Sequence, residues 1–212
     1  EYALNDVKTS FCGIDVSKYQ GNIDWKAVAD SGVDFAMIRM GSRGYSRGQI
    51  LIDDKFYDNL RGCSENGIRV GIYFYSQAIT PEEAIEEANY CVGSIGNFKV
   101  EYPIVFDSEE VIGDSYRTEN LSPNEMSVIA EAFCNTVSIY GYTPMIAATK
   151  KQFASHFDLS SIEEYDWWLF DTDEISVFPY RYTIWQYSRT GNIEGIDGAV
   201  NLDISFIDYS GR

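Results

Sequence analysis

The stretch Pro103-Ile104-Val105-Phe106-Asp107-Ser108-Glu109 carries most of the information about the fold of this chain. Its first four residues are apolar and leave no polar face, which is typical of a strand that is buried on both sides in a parallel sheet. The run then ends in two acidic side chains separated by one residue. We therefore predict a buried strand over Tyr102 to Glu109 with acidic groups at its carboxyl end.

Similar apolar runs lie on both sides of this stretch and alternate with amphipathic segments of helical length. This alternation predicts parallel strands joined by crossover helices. Helical signals weaken in the last third of the chain, so the last three strands are expected to follow one another without full crossover helices. The predicted fold class is α/β, an irregular TIM-like barrel in a single domain over residues 1–212. Its eight strands are predicted at Phe11 to Val16, Phe35 to Gly41, Arg69 to Ser76, Tyr102 to Glu109, Thr143 to Thr149, Trp167 to Asp171, Tyr182 to Ser188 and Val200 to Ile204.

Local signals also predict where the main helices begin and end. Thr80-Pro81-Glu82-Glu83 and Ser122-Pro123-Asn124-Glu125 each combine an N-cap hydroxyl, proline at the first helical position and glutamate at the third, so both are predicted capping boxes. A helix near Asp53 to Asn66 should end at Gly67, and a short one should cover Lys150 to His156. The buried face of the helix after Ser122 is predicted from Met126, Ile129, Ala130, Phe133, Val137 and Tyr140, with Gly141 as its stop.

Composition limits the possible partners. The 212 residues are 45% hydrophobic and 15% aromatic, which is enough for one barrel domain. The net charge of −17 would repel phosphates, so neither nucleic acid nor an anionic membrane surface is an expected partner. No apolar run approaches the roughly 20 residues of a membrane helix, so membrane insertion is not predicted. We expect a monomer.

The four cysteines, Cys12, Cys63, Cys91 and Cys134, all fall within predicted strands or helices and form no CxxC pair. They are predicted to be free, buried thiols rather than disulfides or zinc ligands. The chain begins without methionine and without a visible export signal, so we expect a mature or excised piece whose location must be inferred from its function.

Acidic residues fall at the carboxyl ends of three predicted strands, where barrels of parallel strands collect functional groups. Asp15 closes the first strand, Asp107 and Glu109 close the fourth, and Asp203 lies in the last. Side chains alternate along a strand, so Asp107 and Glu109 should point to one side with Cα atoms about 6.5 to 7 Å apart. Like charges at that distance push pKa values apart and favour one proton donor beside one carboxylate, the pair that glycoside hydrolysis needs. On spacing alone, solvated or helix-capping acids are the commoner explanation.

Other chemistries find less support. His156 is the only histidine and lies in a polar segment far from any nucleophile motif, so it is predicted to be a surface residue. Zinc is not expected, no phosphate-binding loop is present and no cofactor is predicted, although acidic residues leave a hard cation such as Ca²⁺ or Mg²⁺ open. Four aromatic residues near strand ends could stack on sugar rings or belong to the core: Tyr73, Tyr75, Trp185 and Tyr187.

Four motifs in chain order resemble the glycoside hydrolase family 25 lysozymes, the Chalaropsis-type muramidases, and the likeness spans nearly the whole chain. The motifs are Gly13-Ile14-Asp15-Val16-Ser17-Lys18-Tyr19-Gln20-Gly21 with Ile23-Asp24-Trp25, Gly67-Ile68-Arg69-Val70-Gly71-Ile72-Tyr73, the Asp107-Ser108-Glu109 strand, and Trp185-Gln186-Tyr187-Ser188 followed by Gly191 and Gly195-Ile196-Asp197-Gly198.

The resemblance implies a flattened (β/α)5(β)3 barrel that cleaves the β-1,4 bond between N-acetylmuramic acid and N-acetylglucosamine in bacterial peptidoglycan, outside the cell or at its wall. By motif match, Glu109 would be the general acid, while Asp15 and Asp107 would shape the site electrostatically. In the second step, either a carboxylate or the substrate's own N-acetyl oxygen would attack, the latter oriented by Asp107.

The chain departs from the family pattern at several positions. Asn201 stands where the family usually has aspartate, and Asp203, two residues on, could supply the missing negative charge. Phe74 replaces a frequent histidine, and the stretch 167–171 differs from the usual sixth-strand ending, which puts sugar preference in doubt. Asn201 also motivates an alternative, a catalytically silent carbohydrate-binding barrel. A chitinase-like site is disfavoured because Tyr102 and Val105 occupy positions that are acidic in such enzymes.

Overall fold

The computed structural model of the chain describes residues 3–4, 7–111 and 113–211, and they form a closed eight-stranded barrel with helices around part of it. The strands are β1 Ala3–Leu4, β2 Val7–Lys8, β3 Phe11–Val16, β4 Phe35–Arg43, β5 Ile50–Ile52, β6 Arg69–Tyr75, β7 Ile104–Asp107, β8 Pro144–Thr149, β9 Asp166–Phe170, β10 Ile184–Gly191 and β11 Val200–Ser205. The helices are α1 Trp25–Asp30, α2 Phe56–Asn66, α3 Pro81–Ser94, α4 Pro123–Ile139, α5 Lys150–His156 and α6 Leu159–Ile162, with 3-10 turns at Lys18–Gln20 and Tyr209–Gly211.

The barrel order is β3, β4, β6, β7, β8, β9, β10 and β11, and it closes where β11 pairs with β3. Neighbouring strands from β3 to β10 run parallel, whereas β11 is antiparallel to both β10 and β3. Helices follow each of the first five barrel strands and none follows the next two, so the predicted α/β barrel with three helix-free strands is confirmed.

Two layers of apolar side chains hold the barrel together. Between the barrel and its helices, the inward faces of α2, α3 and α4 pack on the outer faces of the strands. Inside the barrel, the rings of Phe35 and Tyr102 stack at 4.3 Å between centroids, and Trp168 is fully buried above them. A side chain at Gly13 would collide with the Phe35 ring, so glycine is required where these two strands approach. Because the interior is filled, a ligand cannot enter the barrel itself, and in barrels of this kind ligands bind at the rim formed by the carboxyl ends of the strands.

Most helix signals are confirmed, with two corrections. Ser122 forms the predicted capping box with Glu125. Thr80 accepts a hydrogen bond from the Glu83 amide, but the Glu83 carboxylate accepts from the Ile79 amide instead of completing the box, so that prediction was wrong in its second half.

The predicted inward face of α4 was also wrong at one residue. The helix ends at Ile139, so Tyr140 turns outward and is 54% exposed. The other predicted core residues of this helix are buried. All four cysteines are free, as predicted, and three of them are buried. The prediction of burial was wrong for Cys12, which is only partly buried.

Strand β7 is shorter than predicted. Its pairing with β6 and β8 ends at Asp107, which lies beside Tyr75 and Ala147. Glu109 therefore lies on the segment that follows the strand rather than on the strand face itself. The sequence analysis also missed β5, which pairs antiparallel with the extended end of β4, and the short helices α1 and α6. No helix in the described residues has the length and apolar composition to cross a membrane.

Candidate active site

A pocket of about 300 Å³ opens at the carboxyl ends of the barrel strands. Its walls combine three carboxyl groups, two guanidinium groups, side-chain amides and aromatic rings. The lining residues are Asp15, Ser17, Tyr19, Gln20, Arg39, Tyr73, Tyr75, Asp107, Glu109, Trp168, Phe170, Gln186, Arg189 and Asn201. The structure thus brings Asp15, Asp107 and Glu109 together, although the first lies more than ninety positions before the others.

Asp15, near the end of β3, is buried and held by two amides. Gln186 Nε2 donates to its Oδ2 at 2.8 Å, and Asn201 Nδ2 donates to its Oδ1 at 3.0 Å. Burial raises the pKa of Asp15 to about 6, although these two hydrogen bonds act in the opposite direction because they stabilise the carboxylate. Near neutral pH this side chain is therefore available as an anion.

Asp107, the last residue of β7, is almost completely buried. Within residues 7–111 and 113–211, no hydrogen-bond partner reaches its Oδ1 atom. Burial raises the pKa of Asp107 well above its usual range, and the nearby carboxylates of Glu109 and Asp15 raise it further. A carboxyl group in this state favours the protonated form and offers an unoccupied oxygen on the pocket wall.

Glu109 is the most accessible of the three acids, with 32% of its side chain exposed. Burial raises its pKa, and Arg189, whose Nη2 lies 3.7 Å from Oε2, lowers it. The Glu109 carbonyl accepts hydrogen bonds from the Tyr75 hydroxyl and from Gln77 Nε2, both at 3.4 Å, which anchors the segment after β7. A partly exposed acid with a raised pKa has the accessibility and the proton that a general acid needs.

Asp203 lies below the pocket rather than on its wall. In the antiparallel pairing of β3 with β11, Asn201 is opposite Asp15 and Asp203 is opposite Gly13, two residues deeper in the barrel. Asp203 is 1% exposed, and its Oδ1 accepts a hydrogen bond from Trp168 Nε1 at 2.9 Å. Burial raises its pKa well above the usual range, so the negative charge expected at this position is disfavoured.

The predicted aromatic residues divide into two pairs. Tyr73 and Tyr75 line the pocket, as the strand-end rule suggested. Trp185 and Tyr187 do not line it, because side chains alternate along β10 and it is the intervening Gln186 that faces Asp15. The Trp185 indole donates instead to the carbonyl of Asp171 at 2.6 Å.

Several pocket residues were missed by the sequence analysis. Arg39 lies between Asp53, which it contacts at 2.7 Å, and the exposed ring of Tyr19, whose centroid is 5.0 Å away. Arg189 and Gln186 line the opposite wall. Alternation from Trp185 to Tyr187 could have drawn attention to Gln186, but nothing local indicates that Arg189 lies beside Glu109.

The other chemistries considered from the sequence were a histidine-based site and a bound metal ion. His156 lies at the end of α5, 3.5 Å from Glu110 and outside the pocket lining. In the part of the chain that the structure describes, no group of three or more histidine, cysteine or acidic residues is arranged to hold a metal ion.

Comparison with known proteins gives a consistent result. The family model described as "Glycosyl hydrolases family 25" matches residues 14–196. An uncharacterised protein of Escherichia coli O157:H7, YegX, is 28% identical over 207 residues, which covers 91% of this chain and 68% of that protein. The autolytic lysozyme of Clostridium acetobutylicum is 26% identical over 196 residues, which covers 90% of this chain and 54% of the relative.

Among solved structures, the modular autolysin LytC from Streptococcus pneumoniae superimposes with a TM-score of 0.80 at 24% identity. The match covers 92% of this chain and 46% of that one, and at this identity it bears on the fold. The chain therefore spans about half the length of the Clostridium and Streptococcus relatives.

Proposed function

Because this chain belongs to glycoside hydrolase family 25, and is a glycosidase by that membership, we propose that it is a muramidase. The bond cleaved is the β-1,4 linkage between N-acetylmuramic acid and N-acetylglucosamine in bacterial peptidoglycan. The likeness to an autolytic lysozyme supports this substrate. The proposal concerns this chain, whose match covers 54% of the length of that relative.

The observation that carries the proposal is the convergence of Asp15, Asp107 and Glu109 in one pocket at the rim of the barrel. The three acids differ in environment: Asp15 accepts two amide hydrogen bonds, Asp107 is buried with a free oxygen, and Glu109 is partly exposed. Different environments separate the pKa values of neighbouring carboxyl groups, which allows one to donate a proton while another remains ionised.

In the first step, Glu109 donates its proton to the oxygen of the glycosidic bond. The bond between that oxygen and the anomeric carbon breaks, its electron pair leaves with the N-acetylglucosamine hydroxyl, and positive charge develops on the muramic acid ring. Asp15 is placed to stabilise that charge as a carboxylate. Tyr73 and Tyr75 offer ring faces and hydroxyl groups for the sugars on either side.

For the second step, we propose that the substrate's N-acetyl oxygen attacks the anomeric carbon and that Asp107 orients the amide. A carboxyl group that burial keeps protonated is a weak nucleophile, whereas its partnerless Oδ1 can accept the amide N–H. Water then attacks the same carbon, and Glu109 accepts its proton. The bond between that carbon and the N-acetyl oxygen breaks, its electron pair returns to the amide, and the sugar is released with the configuration retained.

The rate should depend on pH as a bell with its maximum on the acidic side of neutral. Activity falls as pH rises because Glu109 loses the proton that it must donate. It also falls below about pH 6, where Asp15 becomes protonated. Because the carboxyl groups interact, the acid and alkaline limbs of the pH profile report apparent pKa values of the whole cluster rather than of single residues. A flat profile from about pH 4 to about pH 9 would contradict these roles.

The decisive experiment is mass spectrometry of the soluble fragments that the purified protein releases from peptidoglycan. Wild-type protein should release fragments with muramic acid at the reducing end. Glu109→Gln should reduce the rate by about 10²- to 10⁴-fold, because it removes the proton donor while keeping the shape. Glu110→Gln is the matched control, since Glu110 contacts Lys151 outside the pocket and its loss should leave activity unchanged.

Three other results would contradict the proposal. Glucosamine at the reducing end would indicate a glucosaminidase, and preferential hydrolysis of chitin oligomers would indicate a chitinase. Binding to peptidoglycan without release of fragments, unchanged by Glu109→Gln, would indicate a carbohydrate-binding barrel, the alternative that Asn201 suggested.

We further propose that the protein works as a monomer on peptidoglycan glycan strands outside the cytoplasmic membrane. Peptidoglycan lies outside that membrane, so a muramidase meets its substrate there. Light scattering coupled to gel filtration should give a mass near 24.0 kDa for this chain, whereas twice that mass would contradict the monomer.

A further inference from the structure

Asp15 is surrounded by polar side chains from the two neighbouring strands at the end of the chain. Three side chains from two strands converge on it. Asn201 and Asp203 project from β11 beside it, and Gln186 projects from β10, where it is paired with Asp203. Gln186 and Asn201 donate hydrogen bonds to the Asp15 carboxyl group, and the Asp203 carboxyl group interacts with it.

The orientation of the Gln186 amide is fixed from its other end. Gln186 Oε1 accepts a hydrogen bond from Arg189 Nε at 3.2 Å, and a guanidinium group can only donate. The Nε2 atom is therefore the end that faces Asp15. Asn201 presents its own nitrogen to the second carboxylate oxygen. Both oxygens of Asp15 thus receive an N–H donor, which favours the ionised form.

Asp203 completes this arrangement through a proton of its own. Its Oδ1 accepts from the Trp168 indole, which can only donate, so Oδ1 needs no proton. No N–H or O–H group in the described part of the chain donates to its Oδ2. Because Trp168 occupies Oδ1, Oδ2 is the oxygen left to interact with Asp15. An ionised Oδ2 would be a second buried charge there, whereas a protonated Oδ2 could donate to Asp15.

We propose that Asp203, Gln186 and Asn201 form a cluster of three hydrogen-bond donors that fixes Asp15 as the anion of the site. Asp203 is then a positioning residue below the pocket, neutral and proton-bearing, and not a source of negative charge. The inference rests on the proposed function only where it assigns the Asp15 carboxylate a role in stabilising charge on the substrate. The hydrogen bonds to Asp15 do not depend on the substrate.

Asp15 is buried among other titratable groups, so its protonation state depends on the donors that reach it. The titratable groups that interact electrostatically with Asp15 lie on the neighbouring strands and on the segment after β7: Tyr73, Asp107, Glu109, Arg189 and Asp203. Arg39 interacts in turn with Tyr73 and Asp107. Burial is the main influence that favours protonation of Asp15; Glu109 adds to it when ionised, and Arg189 opposes it. Short-range donors at both carboxylate oxygens oppose this tendency.

Asp203→Asn is the discriminating substitution. Asparagine has the same shape, its Oδ1 can accept from Trp168, and its Nδ2 can donate to Asp15, so it reproduces a protonated aspartate without the ability to ionise. We expect kcat/KM within about threefold of wild type and an unchanged pH profile. If Asp203 instead supplied negative charge to the reaction, this variant would lose activity on the scale of Glu109→Gln.

Asp203→Leu keeps the branched shape and the number of heavy atoms but removes the donor and the acceptor. We expect kcat to fall by about tenfold or more, with KM little changed because Asp203 does not line the pocket. The acid limb of the profile should move to higher pH, since Asp15 loses a donor that stabilises its carboxylate. An unchanged acid limb in a folded Asp203→Leu protein would overturn the inference.

Asn201→Asp tests the cluster from the other side, because it places a second carboxyl group 3.0 Å from Asp15 in place of a donor. The acid limb should again move to higher pH. Asn97→Asp, which adds the same charge at an exposed turn between α3 and β7, should leave the limb in place.

A titration that needs no substrate separates this inference from the proposed function. Carboxyl ¹³C NMR of wild-type protein, Asp203→Asn and Asp203→Leu should place the Asp15 titration at the same pH in the first two and at a higher pH in the third. If wild type fails to cleave peptidoglycan but the titrations follow this order, the donor cluster stands and the muramidase proposal fails. If Asp203→Asn shifts Asp15 as far as Asp203→Leu does, the cluster is refuted whatever the activity.

Discussion

Arg43 holds three separated parts of the barrel rim together, and its substitution should destabilise the fold by a large and interpretable amount. It lies at the end of β4, with a side chain 4% exposed. Its Nε donates to Glu87 Oε1 at 2.6 Å, its Nη2 to Glu86 Oε2 at 2.7 Å and its Nη1 to the Gly48 carbonyl at 2.6 Å. Glu87, itself fully buried on α3, also accepts from Ser76 Oγ at 2.6 Å.

Arg43→Met keeps an unbranched apolar stem but leaves the Glu87 carboxyl group without its cation. Burial already raises the pKa of Glu87 to about 7, so without Arg43 it must take up a proton or remain an unpaired buried charge. Breaking a buried ion pair from one side costs about 3–5 kcal/mol. For a chain of this size, each kcal/mol lowers Tm by about 2–4 °C, so a decrease of about 6–20 °C is expected. Glu86→Gln should cost about 1 kcal/mol or less, because that partner is 55% exposed and solvent screens the pair.

The sign of a second substitution tests the explanation. Glu87→Gln should destabilise wild-type protein, because it removes the charge that Arg43 needs. In the Arg43→Met background the same change should recover about 1–3 kcal/mol, since it removes the unpaired charge while its amide oxygen still accepts from Ser76. Urea unfolding at pH 7 with calorimetry measures all four proteins. The reasoning is refuted if Glu87→Gln adds to the loss in the Arg43→Met background, or if Arg43→Met alone costs less than about 1 kcal/mol.

Three further predictions follow from other contacts. Arg189→Gln removes the cation that lowers the pKa of Glu109, so the alkaline limb of the pH profile should move to higher pH, whereas Arg61→Gln, which removes an exposed charge on α2, should leave it unmoved. Ser122→Ala removes the N-cap of α4 and half of its capping box, and should lower the free energy of unfolding by about 1 kcal/mol in urea titrations; no loss would mean that the helix end is held by packing. The four cysteines should all react with a thiol reagent in denaturant without prior reduction, and a reductant should leave Tm unchanged; fewer than four reactive thiols would contradict their free state.

Much of the barrel could be predicted because its signals are local. The run Phe11–Val16 is a strand over the predicted residues, and α5 covers the predicted Lys150–His156. Apolar continuity, N-cap hydroxyls and glycine stops act over one or two turns of chain, so they are readable without knowledge of the fold. The positions of Asp15 and Asp107 at strand ends follow from the same local signals, and the barrel rule then places both at the rim.

Contacts that join distant segments could not be predicted in this way. Thr80-Pro81-Glu82-Glu83 has the sequence pattern of a capping box, but the Glu83 carboxylate does not bind the Thr80 amide. It accepts hydrogen bonds from Arg117, 34 residues away, and from the amide of Ile79. Strand β5 exists because the end of β4 extends beyond the barrel and offers it a partner. Neither outcome is determined by the residues nearby.

The sequence by itself determined the order of the eight barrel strands and the longer helices, the acidic strand ends and the family. The tertiary structure decided which side chains face the site. Alternation along β10 separates Gln186 from Trp185 and Tyr187, but only barrel closure decides that the amide points inward and the rings outward. The register of β3 with β11 likewise decides that Asn201 lies beside Asp15 and Asp203 beneath it. The depth of a side chain in the barrel and the side to which it points depend on how strands from opposite ends of the chain pair. The residues of one strand do not determine the register of its pairing with another.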